Sequence, residues 1–274
     1  MAGDSVGVSK PEDETHALHD LTLAARRFGA VLDGPPFIST GSVGSAALTE
    51  HGRRYVKVAQ SQEEFRGIQA LNLWAGMGAV RVISQDGNAA LLEHAGPSLR
   101  SIAPTDAELT AVLCDVASRL HSQQIKLPTG FHSVERWFTA LLTDESREFL
   151  PARCICTRLI NDWTSHVLLH GDLRSGNVLH GGDRGWLAIN PKGIVGPRQL
   201  DFCNIFTNHD ARDSLRYFES RLRHVCALAT IDRMDLLRWI AAWAALSCLW
   251  HLQDGSGESA ASARAVMNRA LVAL

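Results

Sequence analysis

His170-Gly171-Asp172-Leu173-Arg174-Ser175-Gly176-Asn177 is entered from the apolar run Val167-Leu168-Leu169 and left through Val178-Leu179. A polar octapeptide with two glycines, set between apolar runs, reads as a loop carried by strands. It offers one carboxylate, Asp172, and one amide, Asn177, from the same loop. Asn177-Val178-Leu179-His180 and Trp186-Leu187-Ala188-Ile189 then read as two strands around the turn Gly181-Gly182-Asp183-Arg184-Gly185. Such a hairpin brings Asn177 and Asn190 to one open end, across from each other.

The chain changes character on either side of this loop. Upstream, Val43 to Leu48 and Tyr55-Val56-Lys57-Val58 read as strands around a turn at His51-Gly52-Arg53-Arg54. Ser61 to Trp74 reads as a helix, with Ser61 as N-cap and Glu64 as its capping-box partner. Ala79 to Ser84 and Ala89 to Glu93 are strands joined at Asp86-Gly87-Asn88. After Gly96-Pro97 helices dominate. Thr105-Asp106-Ala107-Glu108 is a second capping box, and helices are expected at 133–142, 145–162, 234–252 and 258–273. Between them, 164–210 is rich in loops. Strands first and helices second is an α+β plan with two lobes. Residues 1–96 and 97–274 are the expected units, with residues 1 to about 14 frayed.

Bulk properties narrow the function classes. The 274 residues are enough for one large domain or two lobes with a real core. A net charge of -2 leaves no polybasic field, so neither nucleic acid nor an anionic membrane is an expected partner. The first residues carry no secretion signal and no apolar run is long enough to span a membrane, so a cytoplasmic location is expected. The six scattered cysteines read as reduced and mostly buried thiols. Trp239, Trp243 and Trp250 lie near helical spacing and read as core.

The loop and hairpin suit phosphoryl transfer, which needs an oriented hydroxyl, neutralised phosphate charge and magnesium. Asp172 would face the substrate, and the oxygens of Asn177 and Asn190 could share one hard cation. His170 reads as a brace for the loop. Lys57, mid-strand among apolar residues, is the candidate for phosphate. Glu64 is its candidate partner, although Glu64 also suits the capping box and Glu63 could take either role. Gly41-Ser42-Val43-Gly44-Ser45 reads either as a phosphate-covering turn or as an ordinary hairpin turn. Arg174 and Ser175 read either as phosphate contacts or as a solvated loop face. His209-Asp210 and Asp213 suit a cationic acceptor or a solvated loop equally. A metal-dependent hydrolase built on His170 and Asp172 lacks further ligands at metal spacing.

Three stretches carry a family resemblance: His170 to Asn177, Asp183 to Gly193, and Asp201-Phe202-Cys203-Asn204-Ile205-Phe206-Thr207-Asn208. Weaker matches are Trp74 to Arg81 and Leu236 to Ile240. From about residue 43 to 252 the chain resembles bacterial aminoglycoside phosphotransferases, in the branch of the streptomycin 6-phosphotransferases and hydroxyurea phosphotransferases. The resemblance implies a protein-kinase-like fold with a small β-rich N-terminal lobe and a larger helical C-terminal lobe. It implies ATP and Mg2+ as cofactors and an aminoglycoside-like small molecule as acceptor, with streptomycin the leading candidate. It implies Asp172 as catalytic base, Asn177 as metal ligand, Lys57 paired with Glu64 on phosphate, and Glu93 to Ala95 along the adenine.

The departure is Asn190. The family pattern there is Ile-Asp-Pro, and this chain has Ile189-Asn190-Pro191. A neutral amide replaces a metal-binding carboxylate, a loss worth about 3–4 kcal/mol or roughly 10²–10³-fold in rate. Asp201 lies beyond a Gly/Pro-containing loop and reads as a brace for the catalytic loop, not as a substitute ligand. An impaired phosphotransferase and a pseudokinase-like binding protein are therefore both expectations.

Overall fold

A computed structural model of the chain describes residues 11–274 apart from 103, 124, 128 and 208–210, with the backbone alone at 11–13, 211 and 212. The segment expected to fray lies largely outside these residues. Helix α1 (Pro11–Arg27) begins inside it, with proline at the first helical position.

The N-terminal lobe is one sheet between two helices. Its strands are β1 (Val31–Leu32), β2 (Phe37–Ile38), β3 (Ser42–Thr49) and β4 (Gly52–Ala59), then, after α2 (Gln62–Trp74), β5 (Val82–Asp86) and β6 (Ala89–Glu93). The order is β1-β3-β4-β6-β5, with β2 also on β3, and every pairing is antiparallel. Strand alternation sorts the side chains. Val56, Val58, Ala89 and Leu91 pack with Ala17, Leu21, Ala24 and Ala25 of α1. Ala59, Ala90 and Leu92 pack on the other side with Ile68, Leu71 and Trp74 of α2. Lys57, between Val56 and Val58, therefore shares the α2 side.

The C-terminal lobe is helical. It contains α3 (Asp106–His121), β7 (His132–Ser133), α4 (Val134–Trp137), α5 (Thr139–Leu142), α6 (Leu150–Asp162) and β8 (Val167–Leu169). There follow β9 (Val178–His180), β10 (Trp186–Ala188), β11 (Ile194–Gly196), α7 (Gln199–Thr207), α8 (Ala211–Arg216), α9 (Phe218–Ala229), α10 (Arg233–Gln253) and α11 (Gly257–Val272). The Thr105 capping box forms in full, with the Thr105 N–H donating to Glu108 Oε2 at 2.9 Å. Helix α10 is buried nearly all round, and Trp239 and Trp243 lie edge-on to Phe138 in the core. Trp250 is half-buried against Trp137 and Trp243.

Several expectations shift. The helix expected over 133–142 breaks at Phe138 into α4 and α5. The one expected from 145 starts at Leu150, because Asp144 accepts the Ser146 N–H in a turn and Pro151 opens the helix. The strand expected from Ala79 starts at Val82. Gly78 at φ 79° turns the preceding residues onto β10, where the Val80 N–H donates to the Ala188 carbonyl. The loop-rich stretch 164–210 contains α7, whose residues Leu200, Phe202, Cys203, Ile205 and Phe206 are all buried. A helix buried on every side shows no one-sided periodicity.

All six cysteines are free. Four are buried, Cys226 is half-buried and Cys154 is exposed. Burial pushes the thiols of Cys114 and Cys156 up to about 12. Among the described residues, no helix is long and apolar enough to cross a membrane.

Candidate active site

Strand β8 delivers the chain to His170, and α7 holds it there. Asp201, in the first turn of α7, accepts the His170 N–H through Oδ2 at 2.9 Å and the Gly171 N–H through Oδ1 at 2.8 Å. His121 at the end of α3 donates to the same carboxylate at 2.8 Å. Burial alone would push the Asp201 carboxyl up. The hydrogen bonds from His121 and from the Gly171 N–H outweigh it and hold the group below the usual carboxylate range. Gly171 sits at φ 80°, and a Cβ there would lie 2.5 Å from Ile194 Cδ1. The loop turns here only because no side chain is present.

His170 is fully buried, and burial pushes its imidazole down to about 4, so it is neutral. Its Nδ1 accepts the Asp172 N–H at 3.2 Å, which puts the ring proton on Nε2 to donate to the Ile189 carbonyl at 2.9 Å. The imidazole thus bridges the Asp172 loop to the end of β10.

Asn177 ends the 3₁₀ turn Ser175–Asn177. Its Nδ2 donates to the Asp172 carbonyl at 2.8 Å and to Asp172 Oδ2 at 2.9 Å. With the amide hydrogens used on Asp172, Oδ1 is the atom left for a cation. Arg174 Nε lies 3.3 Å from the same Asp172 oxygen. The hairpin pairs Ala188 with Val178, and the Ile189 N–H donates to the Asn177 carbonyl. Ile189 therefore stands across from Asn177, and Asn190 lies one residue further on.

Asn190 adopts φ 57°, a left-handed conformation that asparagine tolerates better than most residues. Its Oδ1 accepts a hydrogen bond from Lys57 Nζ. Lys57 also donates to Glu64 Oε2 at 2.5 Å. Burial pushes the Lys57 ammonium down, against the pull of Glu64. Burial likewise opposes the Glu64 carboxylate, but Lys57 and Lys192 outweigh it and hold the carboxyl below its usual range. The Ser61 hydroxyl accepts the Glu64 N–H at 3.2 Å, so the N-cap forms. The returning half of the capping box does not, because the Glu64 side chain is turned to the lysines. Glu63 takes Lys192 instead, at 2.8 Å.

Lys192 was not among the residues singled out from sequence. Its one signal is a cation two residues past Asn190 in Asn190-Pro191-Lys192-Gly193. Gly41 crowds the same site: a Cβ on it would lie 2.9 Å from Ser61 Oγ and 3.0 Å from Glu64 Cγ. Of the stretch expected as a turn, only Gly41 lies between β2 and β3; Ser42 to Ser45 open strand β3, where Gly44 pairs in register with Lys57.

The Glu93 side chain turns to Arg184 in the β9–β10 turn and accepts the Arg81 N–H at 3.0 Å. Only its backbone is left for the cleft. The Ala95 N–H has no hydrogen-bond partner among the described residues. Immediately beyond, the Gly96 N–H donates to the His180 carbonyl and the His180 N–H to the Pro97 carbonyl, which fastens the link between lobes to β9. His209 and Asp210 lie outside the described residues, and Asp213 lies on α8.

For magnesium, Asn177 and Asn190 offer two neutral amide oxygens, one already engaged by Lys57, and both nearby glutamates are neutralised by lysines. A hard cation prefers anionic oxygen. This set fits only a weakly held ion that draws most of its negative ligands from elsewhere. No cluster of three or more acidic, His or Cys side chains able to hold a metal occurs among the described residues.

The family described as aminoglycoside/hydroxyurea antibiotic resistance kinase matches residues 39–255. The chain belongs to this family. Among relatives of the kinase family, a streptomycin 3''-kinase from Klebsiella pneumoniae is 39% identical over 213 residues, covering 73% of this chain and 80% of the relative. A streptomycin 6-kinase from Streptomyces glaucescens is 28% identical over 252 residues, covering 84% and 81%. A hydroxyurea phosphotransferase from Kitasatospora aureofaciens is 29% identical over 203 residues, covering 68% and 58%. The antibiotic-kinase chain also has the protein-kinase-like fold. Aminoglycoside phosphotransferase APH(4)-Ia, in a ternary complex with ADP and hygromycin B, superposes with a TM-score of 0.65 at 16% identity, covering 91% of this chain and 96% of that one. Choline kinase LicA from Streptococcus pneumoniae gives 0.63 at 12% identity, covering 95% and 100%.

Proposed function

We propose that this antibiotic-kinase family member transfers the γ-phosphoryl of ATP to a hydroxyl of streptomycin, and does so slowly because of Asn190. The observation that carries the reading is the Lys57 ammonium held between Glu64 of one lobe and Asn190 of the other. That arrangement suits a lysine that meets phosphate in the cleft between lobes.

Asp172 is the base. Asn177 and Arg174 fix one of its oxygens, and the other takes the proton from the attacking hydroxyl. Lys57 directs its remaining donor to the nucleotide phosphates. The Glu93 carbonyl and the Ala95 N–H and carbonyl serve the adenine edge, at the division between units 1–96 and 97–274. Asn177 and Asn190 would hold a magnesium ion, which supplies charge neutralisation to the phosphates when bound. The amide at 190 contributes less of it than a carboxylate would.

Streptomycin is the proposed acceptor because named relatives act on it. The resemblance favours the 6-hydroxyl, and the 39% identical relative favours the 3''-hydroxyl. The test is phosphate transfer from ATP to streptomycin by the protein and by Asp172→Asn, with the phosphorylated position read by NMR. Transfer that disappears in Asp172→Asn supports the reading, and transfer that survives it removes Asp172 as base. A second reading, a nucleotide-binding protein without turnover, is favoured by the Asn190 oxygen being occupied by Lys57. Nucleotide binding with no transfer to any aminoglycoside or to hydroxyurea would select it.

A further inference from the structure

We infer that Lys192 is a positioning residue for nucleotide: a strut that fixes helix α2, and through it Lys57, against the catalytic loop. The inference rests on the proposed phosphotransfer reading.

Four contacts carry it. The Lys192 N–H donates to the His170 carbonyl at 2.7 Å, so its backbone is anchored to the loop that presents Asp172. Its Nζ crosses to the other lobe and meets Glu63 Oε1 at 2.8 Å and Glu64 Oε1 at 3.4 Å. Glu64 gives its second oxygen to Lys57. One carboxylate is thereby shared between the phosphate lysine and the strut.

Burial makes the strut specific. The Lys192 side chain is 11% exposed, and its partners Glu63 and Glu64 are 25% and 7% exposed, so the ion pairs are largely shielded from water. Removing one member leaves charges in a dry site without partners, which is costly. Adjacent residues on a helix point in different directions. Two consecutive glutamates reach one ammonium only while α2 keeps its present rotation. If α2 turned or withdrew, Glu64 would carry Lys57's anchor away from Asn190. Lys192 therefore acts on nucleotide through Glu64 and Lys57, without touching the acceptor.

The experiment is a calorimetric titration with AMP-PNP and magnesium, together with transfer kinetics, on the full chain and on Lys192→Met, Lys192→Arg and Glu63→Gln. Lys192→Met is expected to raise the nucleotide Kd about tenfold or more and to leave the streptomycin KM within about twofold. Arginine, which keeps the charge, should restore the Kd to within about threefold. Glu63→Gln should fall between. A nucleotide Kd unchanged in Lys192→Met, whatever its melting temperature, overturns the strut. If Lys192→Met does not fold, Glu63→Gln decides alone, and an unchanged Kd there overturns the inference equally. No nucleotide binding by the unsubstituted protein would instead remove the phosphotransfer reading on which the strut depends.

Discussion

Gly67 of α2 and Pro191 are in backbone contact so close that a Cβ on Gly67 would lie 2.3 Å from the Pro191 carbonyl oxygen. In an open helix, alanine in place of glycine would stabilise by about 0.5–1 kcal/mol. Here the obstacle is backbone, so either α2 or the Asn190–Lys192 segment must move. Gly67→Ala should lower stability by about 1–3 kcal/mol. It should also weaken nucleotide binding, because α2 carries Glu63 and Glu64. Denaturant melts and nucleotide titration check both, and a variant as stable and as tight-binding as the parent would show that this contact does not set the helix position.

Asn190→Asp should raise the rate of transfer by roughly 10²–10³-fold. A carboxylate there gives Lys57 a charged partner and the metal an anionic ligand, while the side chain keeps nearly the same shape. Steady-state rates at saturating ATP and streptomycin measure it. Equal rates in the two proteins would remove position 190 from the metal site.

His170 gives stability a pH dependence whose sign follows from its neutral native state. Its imidazole is pushed from 6.5 in the unfolded chain down to about 4 in the native protein. Between those values the unfolded chain binds the extra proton, so stability falls as pH drops from about 6.5 towards 4, by an amount of order 3 kcal/mol. Protonating Nδ1 in the native protein also removes the acceptor of the Asp172 N–H, so activity of the folded protein should hold through this window and fall only as pH approaches about 4. Unfolding midpoints at pH 7.5 and 5 test this, and His170→Asn should show a shallower slope than the parent.

Asp201→Asn should be destabilising although it is nearly isosteric. Both carboxylate oxygens accept bonds, Oδ1 from the Gly171 N–H and Oδ2 from the His170 N–H and His121. An amide brings its NH2 against a donor, and each buried donor left unpaired costs about 1–3 kcal/mol. Chemical denaturation measures the loss. A variant of parental stability would show that the loop holds its shape without this brace.

Much of the site was legible because it is built from local rules. The glycines of the octapeptide and its flanking apolar runs announced a loop between strands. Strand alternation around Val56-Lys57-Val58 put Lys57 on a face of its own. The bracing role of Asp201 followed from its place after a Gly/Pro-containing loop, and the structure gives it two loop N–H groups. Helix α7, which carries Asp201, was not legible, because an evenly buried helix has no apolar stripe to read. Helix α1 was also missed, although Ala17, Leu21, Ala24 and Ala25 recur along one face at helical spacing.

The sequence by itself determined the loop, the hairpin, the strand alternation and the helix caps, since each depends on residues within a few positions of one another. Only the tertiary structure decided which carboxylate serves which lysine. Glu63 and Glu64 are neighbours with the same chemistry, and their roles separate only where Lys57 and Lys192 converge on the first turn of α2. It also decided that Asn190 meets Lys57, 133 positions away, and that Glu93 turns to Arg184. Charge pairing in a buried site is selected by distance through space and by the cost of removing water, and neither is a function of distance along the chain.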